Sequence, residues 1–332
     1  MENGQNRPIS DEQSLDSALR PISFEEYIGQ DSIKRSLRII LDSAKKRNDT
    51  VDHLLFYGQA GLGKTTLAHI VAKEMNGNLK ITSGPAIEKT GDLAAILTNL
   101  EPGDVLFIDE IHRLNKMIEE VLYPAMETRT LNIVIGKGPS ARTLSLDLPP
   151  FTLVAATTRV NLISNPLRSR FGASFRLDYY SNENISEIIR RSAKIMGVKI
   201  SPAAVDMLSR ASRFTPRVAN RLLRRARDIQ EVRDLTEINA ESLEELFKIL
   251  DIDEMGLEYQ DRRLLKIIYK DFKGGPVGIN ALSSALGEEK GVIEDVYEPY
   301  LVKMGLVRRT AGGRVITEEG EEYLKLSADG LS

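Results

Sequence analysis

An α/β domain followed by two smaller, mostly helical domains is what the 332-residue sequence predicts. Three observations carry that expectation. Apolar runs of strand length alternate with helical stretches up to about Asp178, and beyond that point helical periodicity takes over. A polar stretch, Asp251 to Glu258 (DIDEMGLE), then separates a second helical block from a third. Length agrees, because at roughly 150 residues per domain the chain makes two or three. The expected boundaries are 1–180, with a flexible tail to about residue 18, then 181–251 and 252–332.

In chain order, the first apolar runs are His53 to Tyr57 (HLLFY), Val105 to Ile108 (VLFI) and Phe151 to Ala156 (FTLVAA). Continuous rather than alternating apolar runs suit strands covered on both faces, as in a parallel sheet flanked by helices. Between the second and third runs, Leu131, Ile133 and Ile135 alternate on one arm and Leu144, Leu146 and Leu148 on the other, around Gly136 to Pro139. That pattern is a hairpin, buried against its own domain or, if exposed, marking a partner site. The second block holds helices over Asn184–Ile195, Ala203–Ser212 and Pro216–Glu231. The third holds a helix over Asp261–Asp271, a Gly-Gly-Pro turn, helices over Ile279–Leu286 and Glu288–Met304, and strands Leu306–Thr310 and Arg314–Thr317 joined across Ala311, Gly312 and Gly313. Helix-turn-helix plus hairpin is the winged-helix pattern, in which one helix enters the major groove and the wing touches backbone or minor groove.

Composition excludes several classes. Hydrophobic residues make up 42% and charged residues 28%, and no stretch nears the ~18 consecutive apolar residues of a membrane span. The first twenty residues carry Glu2, Asp11, Glu12 and Asp16 without an apolar core, so a signal peptide is not expected and the cytoplasm is. Without cysteine there is no disulfide, thiolate nucleophile or Cys-type zinc site, and His53, His69 and His112 lack metal-ligand spacing. Net charge is −3, which does not announce a nucleic-acid binder. Its distribution says more: Ser181 to Asp234 holds twelve basic against six acidic residues, and Arg308, Arg309 and Arg314 cluster in the predicted wing on an otherwise acidic C-terminal block. A charge run of this kind is a solvated helix face or a nucleic-acid footprint.

The chemistry-bearing motifs lie at strand ends. Gly58-Gln59-Ala60-Gly61-Leu62-Gly63-Lys64-Thr65 follows the first strand, opens a helix over Thr66–Met75 and fits the P-loop spacing. Its glycines let backbone N–H groups wrap phosphates, Lys64 reaches the β/γ oxygens and Thr65 ligates Mg²⁺. Asp109-Glu110 at the carboxyl end of a buried strand reads as a Walker B pair. There Asp109 holds the Mg²⁺ shell and Glu110 orients or deprotonates the attacking water. Thr157-Thr158 ends the third strand, and Thr158 is the candidate that contacts the γ-phosphate or the water. Two further arginines are singled out: Arg170, in Asn165-Pro-Leu-Arg-Ser-Arg-Phe171, suited to act in trans on a neighbouring subunit, and Arg217, after Thr215-Pro216, placed to report nucleotide state.

Together these pieces resemble the AAA+ ATPases: an α/β P-loop domain with a helical lid domain and a C-terminal winged-helix domain. Arg20-Pro21, Tyr27-Ile28-Gly29-Gln30, FIDEIHRLNK (107–116), IGKGPSAR (135–142), PFTLVAATTR, PLRSRFG and GGPVGINALSSALG are similar to the RuvB family, from about Leu19 to Thr317. The resemblance implies an ATP- and Mg²⁺-dependent motor for Holliday-junction branch migration, a homohexamer on duplex DNA working with RuvA and RuvC. It implies that Leu19, Arg20, Tyr27, Ile28 and Tyr180 line the adenine and ribose end. Gly61, Leu62, Gly63, Lys64, Thr65 and Thr66 would hold phosphates and metal, Arg170 would be the trans finger and Arg217 the second sensor. Glu127, Thr128 and Arg129 match a segment that approaches the nucleotide, Arg308, Arg309 and Arg314 would contact DNA, and Leu131, Ile133, Ile135 and Leu144 would face RuvA.

The chain departs from the family pattern at Thr128-Arg129, where an acidic then an aromatic residue is usual. It also departs at Gln59-Ala60 (usually Pro-Pro), Phe214 (commonly glycine) and Ala311-Gly312 (usually Pro-Arg). Three rival readings are a clamp-loader-like protein remodeller, an ATP-responsive transcription regulator and a nucleotide-binding scaffold without hydrolysis. The winged helix weighs against the first, sequence-selective duplex binding would support the second, and Glu110 weighs against the third.

Overall fold

The computed structural model describes residues 11–135 and 142–329. The chain divides near residue 187 into two compact units. In the first, five parallel strands, β1 (Leu54–Tyr57), β2 (Leu79–Ser83), β3 (Val105–Asp109), β6 (Thr152–Thr157) and β7 (Ala173–Arg176), form a sheet ordered β2-β3-β6-β1-β7. Burial is complete along Val105–Ile108 and all of β6, as continuous apolar runs require. Register sets Tyr57 beside Thr157 and Ile108 beside Ala155. The carboxyl ends of β1, β6 and β3 therefore lie side by side, at the edge where open α/β sheets bind ligands. A helix over Asp11–Leu19 is formed where a tail was expected.

The inserted hairpin exists, with β4 (Thr130–Ile135) antiparallel to β5 (Arg142–Asp147) and Leu131 opposite Leu146. Leu131 and Leu148 are buried in the core cluster that includes Ile118, Leu122 and Met126 of the helix Lys116–Glu127. Leu131 is thereby removed from the expected partner surface. Full burial of a leucine is worth about 1.5–3 kcal/mol, which a partner-facing side chain would forgo in the free subunit. Ile133 and Leu146 are half-buried against the same cluster, and Leu144 is 44% exposed. The Ile135 side chain and the expected turn at Gly136 to Pro139 lie outside the described residues.

In the second unit the lid helices are Pro202–Ala211, Pro216–Val232 and Ala240–Leu250. Two begin with a hydroxyl cap followed by proline. Ser201 accepts from the Ala204 N–H and Thr215 from the Val218 N–H, and Pro202 and Pro216 occupy first-turn positions where no donor is needed. The expected helices Asp261–Asp271 and Glu288–Met304 each contain a π turn, at Ile267–Asp271 and Ile293–Tyr297. The second precedes Pro299, whose missing N–H and ring cannot be accommodated in a regular α-turn, so the helix widens.

The wing pairs β8 (Val307–Thr310) with β9 (Gly313–Ile316) around a two-residue turn, Ala311-Gly312, one residue tighter than expected. Gly313 pairs with Thr310, and Val277 joins the wing through two hydrogen bonds with Arg314 (2.9 and 2.8 Å). A Cβ at Gly313 would lie 2.2 Å from the Val277 carbonyl oxygen, so only glycine fits.

Candidate functional site

The P-loop connects β1 to the helix Lys64–Glu74. Gly58, Gly61 and Gly63 all take positive φ (141, 80 and 97°), backbone that other residues rarely adopt. Close approach adds a second constraint, since a Cβ at Gly63 would lie 2.6 Å from the Tyr27 hydroxyl. Lys64 is buried (8% exposed), and its Nζ donates to the Gly58 and Gln59 carbonyls at 2.8 Å each. Thr65 and Thr66 follow in the first helical turn, half-buried.

Behind the loop, Tyr27 OH donates to the Leu62 carbonyl (3.3 Å), and Tyr180 OH lies 3.1 Å from both that oxygen and Tyr27 OH. Burial raises the Tyr27 phenol well above its ordinary value and pushes Tyr180 up to about 12, so both remain neutral. Leu19, Tyr27, Leu62 and Tyr180 are buried, whereas Arg20 and Ile28 are half-buried. The tyrosines thus brace the loop from behind, and Arg20 and Ile28 present the accessible surface. Gln30 ties this segment to Asp178 through both backbone atoms, with its amide donating to the carbonyl (2.6 Å) and its oxygen accepting the N–H (3.3 Å).

Asp109 ends β3, and its Oδ1 accepts the Glu110 N–H (2.9 Å). Glu110 is left-handed (φ 49°), and its carboxylate reaches Arg113 Nη1 at 3.4 Å. The two threonines ending β6 have different surroundings. Thr157 is fully buried, its Oγ1 meeting His112 Nδ1 (2.9 Å) and accepting the Arg159 N–H (2.9 Å). Thr158, one residue beyond the strand, is half-buried. Strand spacing of about 4.8 Å puts the Thr158 backbone between the P-loop and Asp109. Hydroxyl and carboxylate oxygens at Thr65 and Asp109 are the hard donors that suit Mg²⁺.

A cavity of about 500 Å³ elsewhere in this unit is lined by residues 49–53, 126–129, Phe151, Arg170 and Gly172, and by none of the P-loop residues. Arg170 follows the short helix Asn165–Arg168, capped by Ser164. Arg168 is exposed, whereas the Arg170 side chain is only 21% exposed. Glu127 Oε1 lies 3.1 Å from Arg170 Nε. Thr128 Oγ1 donates to the Pro124 carbonyl (3.0 Å), and Arg129, left-handed at φ 55°, turns its guanidinium to Thr50 (3.1 Å) and Asp49 (3.9 Å). Of the two departures from the family pattern, Arg129 is therefore held by the 49–50 loop and Thr128 by its own helix end and Thr130.

In the second unit Arg217 is exposed in the first turn of its helix. On the wing, Arg308 and Arg309 are exposed, but Arg314 is not. Its Nε and Nη2 donate to the two oxygens of buried Glu298 (3.0 and 2.9 Å), and Nη2 also reaches Glu294 (3.1 Å). Arg309 Nε donates to the same Glu298 (2.5 Å) while its side chain stays 57% exposed. Burial alone would raise the Glu298 carboxyl, but its hydrogen bonds to Arg314 and Arg309 outweigh that and lower it.

Sequence reasoning missed three contributors. His112 links the Asp109-Glu110 turn to β6. His69 accepts a short hydrogen bond from Arg20, and burial followed by that charge lowers its pKa, which keeps its Nε2 an acceptor. Tyr123 lies under Arg170 with its ring centroid 4.4 Å from the guanidinium carbon. The only signal for the last was the spacing of Glu119 and Tyr123, four apart on one helical face.

Three family profiles match the chain: the Holliday junction DNA helicase RuvB P-loop domain over residues 19–177, the RuvB AAA lid domain over 180–253 and the RuvB C-terminal winged helix domain over 254–325. A RuvB subunit of the Holliday junction branch migration complex from Chloroflexus aggregans is 54% identical over 317 residues, covering 96% of this chain and 91% of that protein. The solved Thermotoga maritima RuvB Holliday junction branch migration motor superposes with a TM-score of 0.86 at 48% identity, over 93% of this chain and 98% of that one. A K64R mutant of the same Thermotoga protein gives 0.86, again at 48% identity, over 92% and 98%. Nucleotide-site geometry, three-part sequence match and structural likeness agree, and the chain belongs to the RuvB family of P-loop AAA+ ATPases of Holliday junction branch migration.

Proposed function

We propose that this chain is a cytoplasmic DNA motor in which six copies form a ring on duplex DNA and hydrolyse ATP with Mg²⁺ at their interfaces, working with RuvA and RuvC on Holliday junctions. One observation supports it most: Lys64, Thr65, Asp109, Glu110 and Thr158 converge on one sheet edge, while Arg170 lines a separate cavity. A single subunit thus carries two half-sites, complete only against a neighbour.

The proposed division of labour follows from side-chain chemistry. Gly61 to Thr66 wrap the phosphates and Lys64 adds a cation; Thr65 and Asp109 would hold Mg²⁺, which would supply neutralisation of phosphate charge. Glu110 orients the attacking water and accepts its proton, Thr158 fixes the water or γ-phosphate, and Arg170 stabilises charge in trans. Arg20 and Ile28 line the base end with the braced tyrosines behind them, Glu127 to Arg129 border the neighbour's nucleotide, and Arg217 reports its state. On the hairpin, Leu144 and the half-buried Ile133 are the RuvA-facing positions.

Conversion of a labelled four-way junction into duplex arms by protein, RuvA and Mg²⁺-ATP is the test. Wild type converts the junction and Lys64→Ala does not; equal conversion by both would refute an ATP-driven motor. ATPase activity without conversion would favour a protein remodeller.

For DNA contact, the wing splits into two roles. Arg308 and Arg309 meet phosphate, a sequence-indifferent contact that suits translocation, whereas Arg314 holds the wing to Glu298. Arg308→Ala should reduce the slope of log affinity against log salt by about one unit with an unchanged melting temperature. Arg314→Ala should lower the melting temperature instead. A salt titration of duplex binding, read beside thermal unfolding, separates the two.

A further inference from the structure

Arg170 projects from a loop, yet three contacts fix it. Its guanidinium stacks on Tyr123, Nη1 donates to the Pro166 carbonyl (2.6 Å), and Glu127 Oε1 lies 3.1 Å from Nε, in ion-pair range but not aligned for a hydrogen bond. Among the described residues no acceptor is hydrogen-bonded to Nε or Nη2. One edge of the guanidinium is therefore tethered and one face is covered; on the Nε–Nη2 edge, Nε is buried beside Glu127 without a hydrogen bond, so that edge meets a ligand when Glu127 moves aside.

Tyr123 is itself clamped. Its hydroxyl donates to Glu119 Oε2 (2.9 Å), and Ser164 Oγ donates to the same oxygen (2.5 Å). Glu119 is 5% exposed, so this carboxylate is removed from water and committed to its two hydroxyl partners. Ser164 also caps the four-residue helix leading to Arg170, accepting the Leu167 N–H at 3.3 Å. One buried carboxylate thus ties the ring under the arginine to the segment that carries it.

We propose that Tyr123 is a positioning residue for the trans finger: clamped by Glu119 and Ser164, its ring fixes the Arg170 guanidinium plane so that the Nε–Nη2 edge faces the neighbouring subunit's γ-phosphate. The proposal rests on reading Arg170 as that finger. An arginine keeps its charge and fork wherever it points, but transition-state stabilisation needs the donors within a fraction of an ångström of the developing charge. A stacked ring restricts the plane and leaves the edges available. Glu127, beside Nε, is the group that the incoming phosphate displaces.

Steady-state ATP hydrolysis by the assembled protein is compared for wild type, Tyr123→Leu, Tyr123→Phe, Glu119→Gln and Arg170→Ala, with nucleotide affinity and assembly measured on each. Loss of the stack should lower kcat about tenfold in Tyr123→Leu, between the ranges for exposed and fully desolvated cation–π contacts, with KM and nucleotide affinity unchanged. Tyr123→Phe and Glu119→Gln, which keep the ring and lose the clamp, should fall about threefold.

Mixing supplies a readout that a merely structural role would not move. A Lys64→Ala subunit has a dead P-loop but an intact finger, so adding it to Tyr123→Leu should raise hydrolysis per active P-loop back toward wild type. Wild-type kcat in Tyr123→Leu, with Arg170→Ala inactive, overturns the proposal and leaves the finger reading standing. Full activity in Arg170→Ala overturns both. A lowered kcat that Lys64→Ala subunits fail to rescue also overturns the proposal, and if Tyr123→Leu does not fold, Tyr123→Phe and Glu119→Gln decide by the same mixing test.

Discussion

Arg170→Ala should reduce ATP turnover by about 10³- to 10⁵-fold, the range for removing an arginine that stabilises a transferring phosphoryl group, while nucleotide affinity changes little. The separation is expected because Arg170 lies among residues 49–53 and 126–129, away from the residues that would bind the subunit's own nucleotide. Binding of a fluorescent ATP analogue reports the first half-site and phosphate release reports the second. Mixed with Lys64→Ala, which lacks the other half-site, Arg170→Ala should regain activity, because some interfaces then pair an intact P-loop with an intact finger. Equal loss of binding and turnover would place Arg170 in its own subunit's site.

The second large effect concerns the link between lid and winged helix. Arg213 Nη1 and Nη2 donate to the two Asp261 oxygens at 3.2 Å each, and the guanidinium carbon is 4.5 Å from the Tyr300 ring centroid. Asp261 is fully buried and the Arg213 side chain is 12% exposed. Removing one member of such a pair strands the other charge, at about 3–5 kcal/mol, so Arg213→Ala should lower the urea midpoint of the second unit sharply.

The penalty should depend on pH. Burial raises the Asp261 carboxyl above its ordinary value, and Arg213 only partly opposes the rise. A carboxyl whose pKa is higher folded than unfolded favours folding fully below the unfolded value and loses that contribution as pH rises through the folded value. Without Arg213 the folded value climbs further, so the deficit of Arg213→Ala should be large near neutrality and shrink as acid protonates Asp261. Asp261→Asn in the Arg213→Ala background should recover part of the loss at neutral pH. A deficit independent of pH would assign the effect to the lost stacking on Tyr300.

Phe214 belongs to the same link. It packs against the C-terminal core and lies 6.1 Å from Tyr300 between ring centroids, and both Arg213 and Phe214 take positive φ (54 and 55°) just before the capped helix that carries Arg217. In sequence, Phe214 read as a departure from a usual glycine. The structure supplies its contacts; lid and winged-helix segments lie within one compact unit, and the lid and winged-helix family matches meet at 253/254, inside the polar stretch 251–258.

Elements whose chemistry is local are legible in the linear pattern of the chain. P-loop spacing, the Asp109-Glu110 step and continuous apolar runs specify parallel strands with ligand groups at their carboxyl ends, because glycine conformations, the apolar pattern of a strand and helix caps are set by residues adjacent in the chain. Ser201-Pro202, Thr215-Pro216 and the helix Ile279–Leu286 were legible for the same reason. Packing in three dimensions settles the rest: that Leu131 faces its own core, that Arg314 is held by Glu298 while Arg308 is exposed, that Thr157 is hydrogen-bonded to His112, and that Tyr123 lies beneath Arg170. For the last three the pairing spans 16 (Arg314–Glu298), 45 (Thr157–His112) and 47 (Tyr123–Arg170) positions, and a linear pattern records which groups a chain carries without recording which of them meet.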